Sequence, residues 1–224
     1  NNLQRALHGI SLQVHQGQTV ALVGESGSGK SITALSVLQL LSPATTVYEA
    51  GRILLQHRNG GTTNLLQASP ATLQAVRGNE VGMIFQEPMT SLNPVFTCGQ
   101  QVTEVLQQHL GLTQKQARQR ALQLFEQVRL PRASSLLNSY PHQLSGGQKQ
   151  RVMIAMAMSC NPNLLIADEP TTALDVTVQK NVLELMQELQ QQTGMGLLFI
   201  THDLGIVAEI AHRVAVMYRG SIVE

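Results

Sequence analysis

Aromatic residues are scarce in this sequence: tryptophan is absent, and there are four phenylalanines and three tyrosines. Proteins that bind single-stranded nucleic acid usually stack bases on aromatic side chains, so we expect no base-stacking platform here. The net charge of +1 also provides no broad attraction to a phosphate backbone. The composition therefore predicts no nucleic-acid partner.

Cysteine and long apolar runs are scarce as well. The two cysteines, Cys98 and Cys160, fit no metal-binding spacing and favour a reducing compartment over a disulfide framework. No apolar run approaches the ~18 residues that a membrane span requires. The sequence begins at Asn1 without an initiator methionine or a signal-peptide pattern, so we expect a domain excised from a longer protein.

What is present is a strong alternation of buried strands and helices. Apolar runs without polar alternation predict buried strands at 19–23, 81–85, 164–167, 196–201 and 213–218. Helical patterns lie between them at 31–41, 100–109, 114–128, 148–159 and 178–192. This order predicts an α/β fold with a largely parallel sheet covered on both faces. Residues 100–141 hold two helical stretches and no predicted strand, which indicates a helical insertion between core strands.

A glycine-rich loop follows the first predicted strand and precedes the first predicted helix. It consists of Gly24, Glu25, Ser26, Gly27, Ser28, Gly29, Lys30 and Ser31, which fits the pattern G-x-x-x-x-G-K-[ST]. Such a loop, called the phosphate loop below, turns backbone N–H groups toward phosphate oxygens, and the following helix adds its dipole. Lys30 would reach the β- and γ-phosphates from an exposed cleft position, and Ser31 would ligate Mg²⁺. The alternative is a chance glycine-rich turn.

Two adjacent carboxylates end the strand predicted at 164–167. Because neighbouring residues of a strand point to opposite faces, Asp168 and Glu169 are expected to have different roles. Asp168 is the better candidate for Mg²⁺, and Glu169 for orienting or deprotonating the attacking water. The alternative is an acidic turn before Pro170.

Two further polar residues follow predicted strands. The Gln86 amide is placed to contact Mg²⁺ or the attacking water, and the His202 imidazole to hold the γ-phosphate. A single glutamine or histidine is more often structural, but ligands of parallel sheets bind at the carboxyl ends of strands. Four polar groups at four strand ends favour phosphoryl transfer by positioning and electrostatics.

A second anion-binding pattern occurs at Leu144-Ser145-Gly146-Gly147-Gln148, where glycines and a serine open a predicted helix. One nucleotide needs one cradle, so the second one suggests a phosphate held by another chain. An ordinary Ser-Gly helix start is the alternative.

These motifs together resemble the nucleotide-binding domain of ABC transporters over essentially the whole chain. The elements in family order are the phosphate loop, Gln86, the signature 144–148, the Walker B run 164–168, Glu169, the D-loop Ala173-Leu174-Asp175 and the switch His202. The resemblance implies one domain, 1–224. Its fold would be a P-loop NTPase core with a mostly parallel sheet, an antiparallel β subdomain and a helical insertion at about 100–160. It also implies a head-to-tail pair of domains, in which Ser145, Gly146, Gly147, Gln148 and Asp175 act at the partner's ATP.

A narrower resemblance is to the branch that imports peptides, nickel and glutathione, above all to the N-terminal half of tandem ATPases. It rests on Phe85-Gln86-Glu87-Pro88-Met89-Thr90-Ser91-Leu92-Asn93-Pro94, on Tyr140-Pro141-His142-Gln143 and on the run 166–176. The branch implies a Mg²⁺-dependent ATPase at the cytoplasmic face of the inner membrane, working with two permease subunits and indirectly with a periplasmic solute-binding protein. Peptides or glutathione-like solutes are the expected cargo, with nickel or another small solute as the alternative.

Two other function classes are less consistent with the residues. ABC-type ATPases of DNA or ribosomes have long coiled-coil insertions or basic linkers, and neither pattern occurs here. A regulatory module without turnover would not need both Glu169 and His202. The family usually stacks adenine on an aromatic residue upstream of the phosphate loop, but residues 1–23 contain none, so the adenine contact is unassigned.

Overall fold

The computed structural model describes residues 4–86, 91–172 and 174–224. The described strands are β1 (Thr19–Val23), β2 (Leu54–Gln56), β3 (Thr62–Asn64), β4 (Val81–Ile84), β5 (Leu164–Asp168), β6 (Gly196–Thr201), β7 (Arg213–Tyr218) and β8 (Ser221–Ile222). The described α-helices are α1 (Lys30–Val37), α2 (Pro70–Val76), α3 (Cys98–Leu110), α4 (Gln114–Gln127), α5 (Ala133–Leu136), α6 (Gly146–Ala157), α7 (Val176–Thr193) and α8 (Leu204–Ile210).

Six of these strands form one sheet in the order β4-β5-β6-β1-β7-β8. All of its pairings are parallel except the one between β7 and β8. Strands β1 and β6 are buried along their whole length, as expected for strands covered on both faces. The predicted α/β fold with a mostly parallel sheet is therefore confirmed.

A separate antiparallel pair joins β2 and β3. It agrees with the antiparallel β element that the family resemblance implies. Each strand has only three residues, and most of their side chains are partly or fully exposed. Such short, exposed strands leave no apolar run for a sequence pattern to detect.

Helices α3 to α6 lie between β4 and β5 in the sequence and supply much of the core. Val102 of α3, Phe125 of α4 and Ile154 of α6 are fully buried in the same cluster as Phe199 of β6. Capping boxes at Thr97–Gln100 and Thr113–Gln116 fix where α3 and α4 begin. Helix α6 packs on β4, whereas α3 and α4 pack on each other and on α6.

Helix α1 ends at Val37, four residues earlier than the sequence pattern predicts. The Arg77 guanidinium donates to the backbone carbonyls of Leu38 and Gln39, at 2.8 Å each. Gln39 has a φ of +49°, which is incompatible with a continuing helix. The helix therefore ends through a contact with a residue 38 positions away, and local sequence does not contain that information.

Within the described ranges, no helix combines the length and the apolar character needed to cross a bilayer.

Candidate functional site

The phosphate loop, Gln86, Asp168, Glu169 and His202 come together at one edge of the sheet, whereas the signature and Asp175 lie at helix starts elsewhere. Strands β4, β5, β6 and β1 are neighbours and run parallel, so their carboxyl ends lie side by side. Val23 pairs with Thr201 and Asp168 pairs with Ile200, which places the phosphate loop, His202 and the acidic pair beside one another. This is the edge at which parallel sheets bind ligands.

The phosphate loop connects β1 to α1 through backbone conformations that favour glycine. Gly27 and Gly29 have φ values of +78° and +109°, and a Cβ on Gly24 would lie 2.2 Å from the Met217 carbonyl oxygen. The Ser28 hydroxyl is buried without a hydrogen-bond partner among the described residues. Turned N–H groups and an unpartnered buried hydroxyl make this loop suited to a polar ligand.

Lys30 lies inside its own loop. Its Nζ donates to the carbonyls of Gly24 and Glu25 at 2.8 and 2.9 Å, and the residue is only 5% exposed. The sequence-based expectation of an exposed cleft charge is therefore wrong, because the inward-turned loop carbonyls hold the ammonium group. An ammonium group has three N–H donors, so one remains for another acceptor.

Asp168 ends β5 with its carboxylate buried beside the phosphate loop. Burial is the main cause that raises the pKa of the Asp168 carboxyl, and the nearby Glu169 charge adds to it. A hydrogen bond with the Ser31 side chain and the charge of Lys30 act in the opposite direction. Its Oδ1 has no hydrogen-bond partner among the described residues. A buried, unpartnered carboxylate oxygen next to a serine hydroxyl fits a hard cation such as Mg²⁺.

Glu169 lies one residue beyond the strand, in a left-handed conformation with φ +46°. Its N–H donates to the Ile200 carbonyl at 2.9 Å, which fixes the backbone against β6. The difference in direction from Asp168 therefore arises from this turn, and the strand alternation that the sequence suggests does not extend to Glu169. A left-handed non-glycine residue is strained, and such strain is often found at functional sites.

Three side chains contact the Glu169 carboxylate. His202 Nδ1 lies 3.3 Å from Oε1. Gln86 Nε2 and Thr172 Oγ1 donate to Oε2 at 3.3 and 3.0 Å. The carboxylate is therefore oriented from both sides. Gln86 uses its amide N–H groups here, so its carbonyl oxygen is the atom that could bind a cation.

Sequence reasoning did not identify Thr172 as part of the site. Its hydroxyl contacts the carboxylate because the chain turns after β5 and brings residue 172 back toward residue 169. Threonine in a Thr-Thr pair after a proline has no distinctive pattern, so only the turn geometry reveals this contact.

The signature segment begins α6 as a capped helix. The Ser145 hydroxyl oxygen accepts from the Gln148 N–H at 3.3 Å, and Gln148 Oε1 accepts from the Ser145 N–H at 2.9 Å. The Ser145 hydroxyl can still donate its own proton, and the N–H groups of Gly146 and Gly147 begin the helix. The described residues show no hydrogen bond or ion pair between 145–148 and 24–31, so the two cradles do not bond each other within one chain.

The D-loop packs against the signature. A Cβ on Gly147 would lie 2.7 Å from Val178 Cγ1, and one on Gly146 would lie 3.8 Å from Leu174 Cδ2. Asp175 caps α7 by accepting from the Val178 N–H at 3.0 Å. Ala173 and residues 87–90 lie outside the described residues.

Comparison with known proteins identifies the family that has this arrangement. The family described as ABC transporter matches residues 7–172. A putative peptide import ATP-binding protein of Brucella melitensis is 53% identical over 219 residues, which cover 98% of this chain and 65% of that protein. The glutathione import ATP-binding protein GsiA of Salmonella typhimurium is 52% identical over 219 residues, which cover 98% of this chain and 35% of that protein.

The chain belongs to the ABC transporter family. It has the fold of an ABC ATPase domain, as a solved structure also indicates. That structure is the dimeric ATP-binding cassette MJ0796 in a post-hydrolysis state, bound to ADP and Pi. It matches with a TM-score of 0.82 at 28% identity, over 98% of this chain and 89% of that one. The resemblance drawn from the motifs is therefore confirmed.

The ABC ATPase domain described here spans about two thirds of the Brucella relative and about one third of GsiA. Its phosphate loop and acidic pair fit a nucleoside triphosphate with Mg²⁺, since Ser28 and Asp168 each have a buried oxygen without a partner among the described residues.

Proposed function

We propose that this ABC ATPase domain is the ATP-binding part of an importer, in which Mg²⁺-dependent ATP hydrolysis powers solute uptake. The observation that supports this most is the Glu169 carboxylate, held by His202, Gln86 and Thr172 beside the phosphate loop. A carboxylate fixed in this way is suited to orient or deprotonate water. Residues 1–224 would form a single nucleotide-binding domain with a helical insertion at about 100–160.

The phosphate loop, Gly24 to Ser31, would bind the triphosphate. Its backbone N–H groups and the start of α1 attract phosphate oxygens, and Lys30 adds its remaining N–H donor. As the phosphates enter, Lys30 would exchange its bonds to the Gly24 and Glu25 carbonyls for bonds to phosphate. The buried position of Lys30 is consistent with this role, since the ammonium group already lies within the cradle.

The Ser31 hydroxyl, the Asp168 carboxylate and the Gln86 carbonyl oxygen would hold Mg²⁺. When bound, Mg²⁺ neutralises charge on the β- and γ-phosphates. Asp168 is suited to this because its raised pKa reflects a burial cost that a neighbouring cation would remove. Glu169 would accept a proton from the attacking water, and His202 would contact the γ-phosphate oxygens.

Two copies of the domain would act together, with a second ABC ATPase domain packed head to tail. Ser145, Gly146, Gly147 and Gln148 form a helix start, and the described residues show no hydrogen bond from it to the phosphate loop of the same chain. The Ser145 proton and the glycine N–H groups would then contact the γ-phosphate held by the partner. Asp175 accepts from the Val178 N–H, and Val178 lies next to Gly147, so Asp175 would contact the same interface.

Two transmembrane permease subunits would dock beside α3. Val95 and Phe96 are 69% and 47% exposed, although both are apolar. The buried Gln101 side chain fixes their loop. Its Oε1 accepts from the Asn93 N–H at 2.9 Å, and its Nε2 donates to the Asn93 carbonyl at 3.0 Å. A groove of about 720 Å³ opens beside Phe96 and the α3 side chains Gln100 and Glu104. We propose the segment around Met89–Phe96, which directly follows Gln86 in the sequence, as the docking segment; the structure describes it from residue 91.

Peptides or glutathione-like solutes are the proposed cargo, because the two kinds of relative are named for peptide and glutathione import. Nickel or another small solute is the second candidate. A periplasmic solute-binding protein would deliver the cargo, and the domain would sit peripherally at the cytoplasmic face of the inner membrane. No nucleic-acid partner is proposed.

Uptake by proteoliposomes tests this function. The complete ATPase would be reconstituted with the permeases that co-purify with it, and uptake of a labelled dipeptide and of glutathione would be measured with ATP inside. We expect ATP-dependent uptake of one of these solutes, and none with the Lys30→Ala protein. ATP hydrolysis that persists in Lys30→Ala, or uptake that continues without ATP, would contradict the proposal.

A further inference from the structure

Three segments far apart in the sequence meet behind the phosphate loop. They are residues 6–8 near the beginning, residues 24–29 of the loop itself, and residues 217–220 around the β7–β8 turn. We call the first and third segments together the rear support. No sequence motif points to either one, and neither belongs to the ligand-binding edge described above.

Gly220 links the other two segments through its backbone. Its N–H donates to the Ser28 carbonyl at 2.8 Å, and its own carbonyl accepts from the His8 N–H at 2.7 Å. A Cβ on Gly220 would lie 2.4 Å from the Ala6 carbonyl oxygen. Because that neighbour is backbone, the space cannot open by a side-chain movement.

The β7–β8 turn explains why the Gly220 N–H points at the loop. Met217 pairs with Ile222 and Tyr218 with Ser221, so Arg219 and Gly220 form a two-residue turn. Both have positive φ values, +42° and +78°, as in the tight turns that match the twist of paired strands. The geometry of this turn is set by the strand pair and is independent of the phosphate loop.

Contacts of the loop glycines complete the rear support. A Cβ on Gly24 would lie 2.2 Å from the Met217 carbonyl oxygen. A Cβ on Gly29 would lie 3.0 Å from both Leu7 Cδ2 and Met217 Cε. The phosphate loop therefore rests on backbone and side-chain atoms at Gly24, Ser28 and Gly29.

The bond to Ser28 has a direct consequence for the front of the loop. A trans peptide unit is planar, so its carbonyl and its N–H point in opposite directions. Because the Ser28 carbonyl is held toward Gly220, the N–H of Gly29 in the same peptide unit points away from the rear support. Gly29 directly precedes α1, where N–H groups and the helix dipole attract phosphate.

We propose that Gly220 is a positioning residue for ATP binding, because it anchors the Ser28 carbonyl and so aims the Gly29 N–H at the phosphates. This inference rests on the proposed role of residues 24–31 as the phosphate site. Gly220 touches no phosphate itself. Losing its anchor lets the Ser28–Gly29 peptide unit rotate, which weakens a charge-assisted hydrogen bond to phosphate and leaves the adenosine contacts unchanged.

Gly220→Ala tests the inference, with Gly60→Ala as its matched control. Gly60 has a similar φ of +88°, but a Cβ there would meet no atom of the described residues within 4 Å. The dissociation constants of ATP, ADP and AMP are measured for each purified protein. We expect Gly220→Ala to raise the dissociation constants of ATP and ADP about tenfold, which is the effect of one impaired hydrogen bond to a charged group. AMP affinity and kcat at saturating ATP are expected to stay within about twofold of wild type.

A milder pair keeps the test decisive if Gly220→Ala does not fold. Leu7→Ala removes the side chain next to Gly29, whereas Leu12→Ala truncates a leucine that packs on the same core cluster. We expect Leu7→Ala to weaken the binding of ATP more than the binding of AMP, and Leu12→Ala to have no such effect. The positioning role of the rear support is wrong if the two members of each pair have the same ATP affinity, or if the affinity for AMP falls as much as the affinity for ATP.

Lys30→Ala separates this inference from the proposed phosphate site. If Lys30→Ala binds ATP as wild type does, residues 24–31 are not the phosphate site, and the proposed function fails with them. If Lys30→Ala loses ATP while Gly220→Ala matches Gly60→Ala, the phosphate site stands and the positioning role alone is overturned.

Discussion

His202 Nδ1 lies 3.3 Å from Oε1 of Glu169, and this contact joins the ends of two neighbouring strands. The Glu169 carboxylate is largely buried, with 13% of its side chain exposed, whereas the His202 side chain is 57% exposed. The histidine therefore contacts the carboxylate while more than half of its own side chain remains open to solvent. A group that contacts the carboxylate and is open to solvent can respond to a γ-phosphate placed beside it.

Replacing Glu169 by glutamine should slow hydrolysis and spare ATP binding. Glutamine keeps the shape of the side chain but cannot accept a proton from water, so we expect kcat to fall on the order of 10²-fold or more. The dissociation constant of ATP should change little. Glu188→Gln is the matched control, since Glu188 is paired only with Arg129 on the surface among its described contacts. Equal turnover by Glu169→Gln and Glu188→Gln would exclude Glu169 as the catalytic carboxylate.

Thr172 is expected to position the Glu169 carboxylate through its hydroxyl. Thr172→Val removes the donor at 3.0 Å while keeping the branched shape, and kcat should fall roughly fivefold, as for one lost hydrogen bond. Thr172→Ser keeps the hydroxyl and should restore the rate, with KM unchanged in both variants. A serine variant as slow as the valine variant would show that the methyl group matters instead.

Lys30→Ala should abolish ATP binding without unfolding the domain. The substitution removes two hydrogen bonds to loop carbonyls, but Gly24 is partly exposed and Glu25 is exposed, so water can replace the ammonium group as their donor. Circular dichroism and a nucleotide titration check the two halves of this expectation. Lys180→Ala, on the exposed side of α7, serves as the control and should bind ATP normally.

Stability should fall at alkaline pH because of Cys98. Burial is the main cause that raises the pKa of the Cys98 thiol from 9.0 to about 11, against smaller effects of a backbone hydrogen bond and Lys149. As the pH rises, the unfolded chain therefore releases this proton before the folded protein does. The stability that the neutral Cys98 thiol contributes to the fold is full below pH 9 and is lost as the pH rises to about 11. Urea unfolding of Cys98→Ala between these pH values should show a shallower decline than wild type. Parallel declines would contradict a buried neutral thiol.

The strand ends were predictable from the sequence, whereas the details that orient the site residues were not. Apolar runs placed Gln86, Asp168 and His202 after strands, and parallel order is enough to bring them to one edge. The φ of Glu169 and the Thr172 contact depend on a turn without a distinctive pattern. Such contacts are properties of the folded backbone.

The same limit applies to long-range contacts. The early end of α1 depends on Arg77, and the support of the phosphate loop depends on Gly220, almost 200 positions away from it. Lys30 shows the opposite case, since its motif was evident but its burial was not. A motif identifies the chemical group, and the surrounding carbonyls decide where that group lies.

The ATPase rate measured against protein concentration shows whether ATP is hydrolysed between two copies of this domain. In the part of the chain that the structure describes, Ser145 and Gly147 make no hydrogen bond to the phosphate loop. Each active site would then need a second chain, so the specific activity should rise with concentration and level off as dimers form. A rate strictly proportional to concentration, at dilutions where sedimentation shows only monomers, would mean that one chain is sufficient for hydrolysis and would contradict an active site shared by two chains.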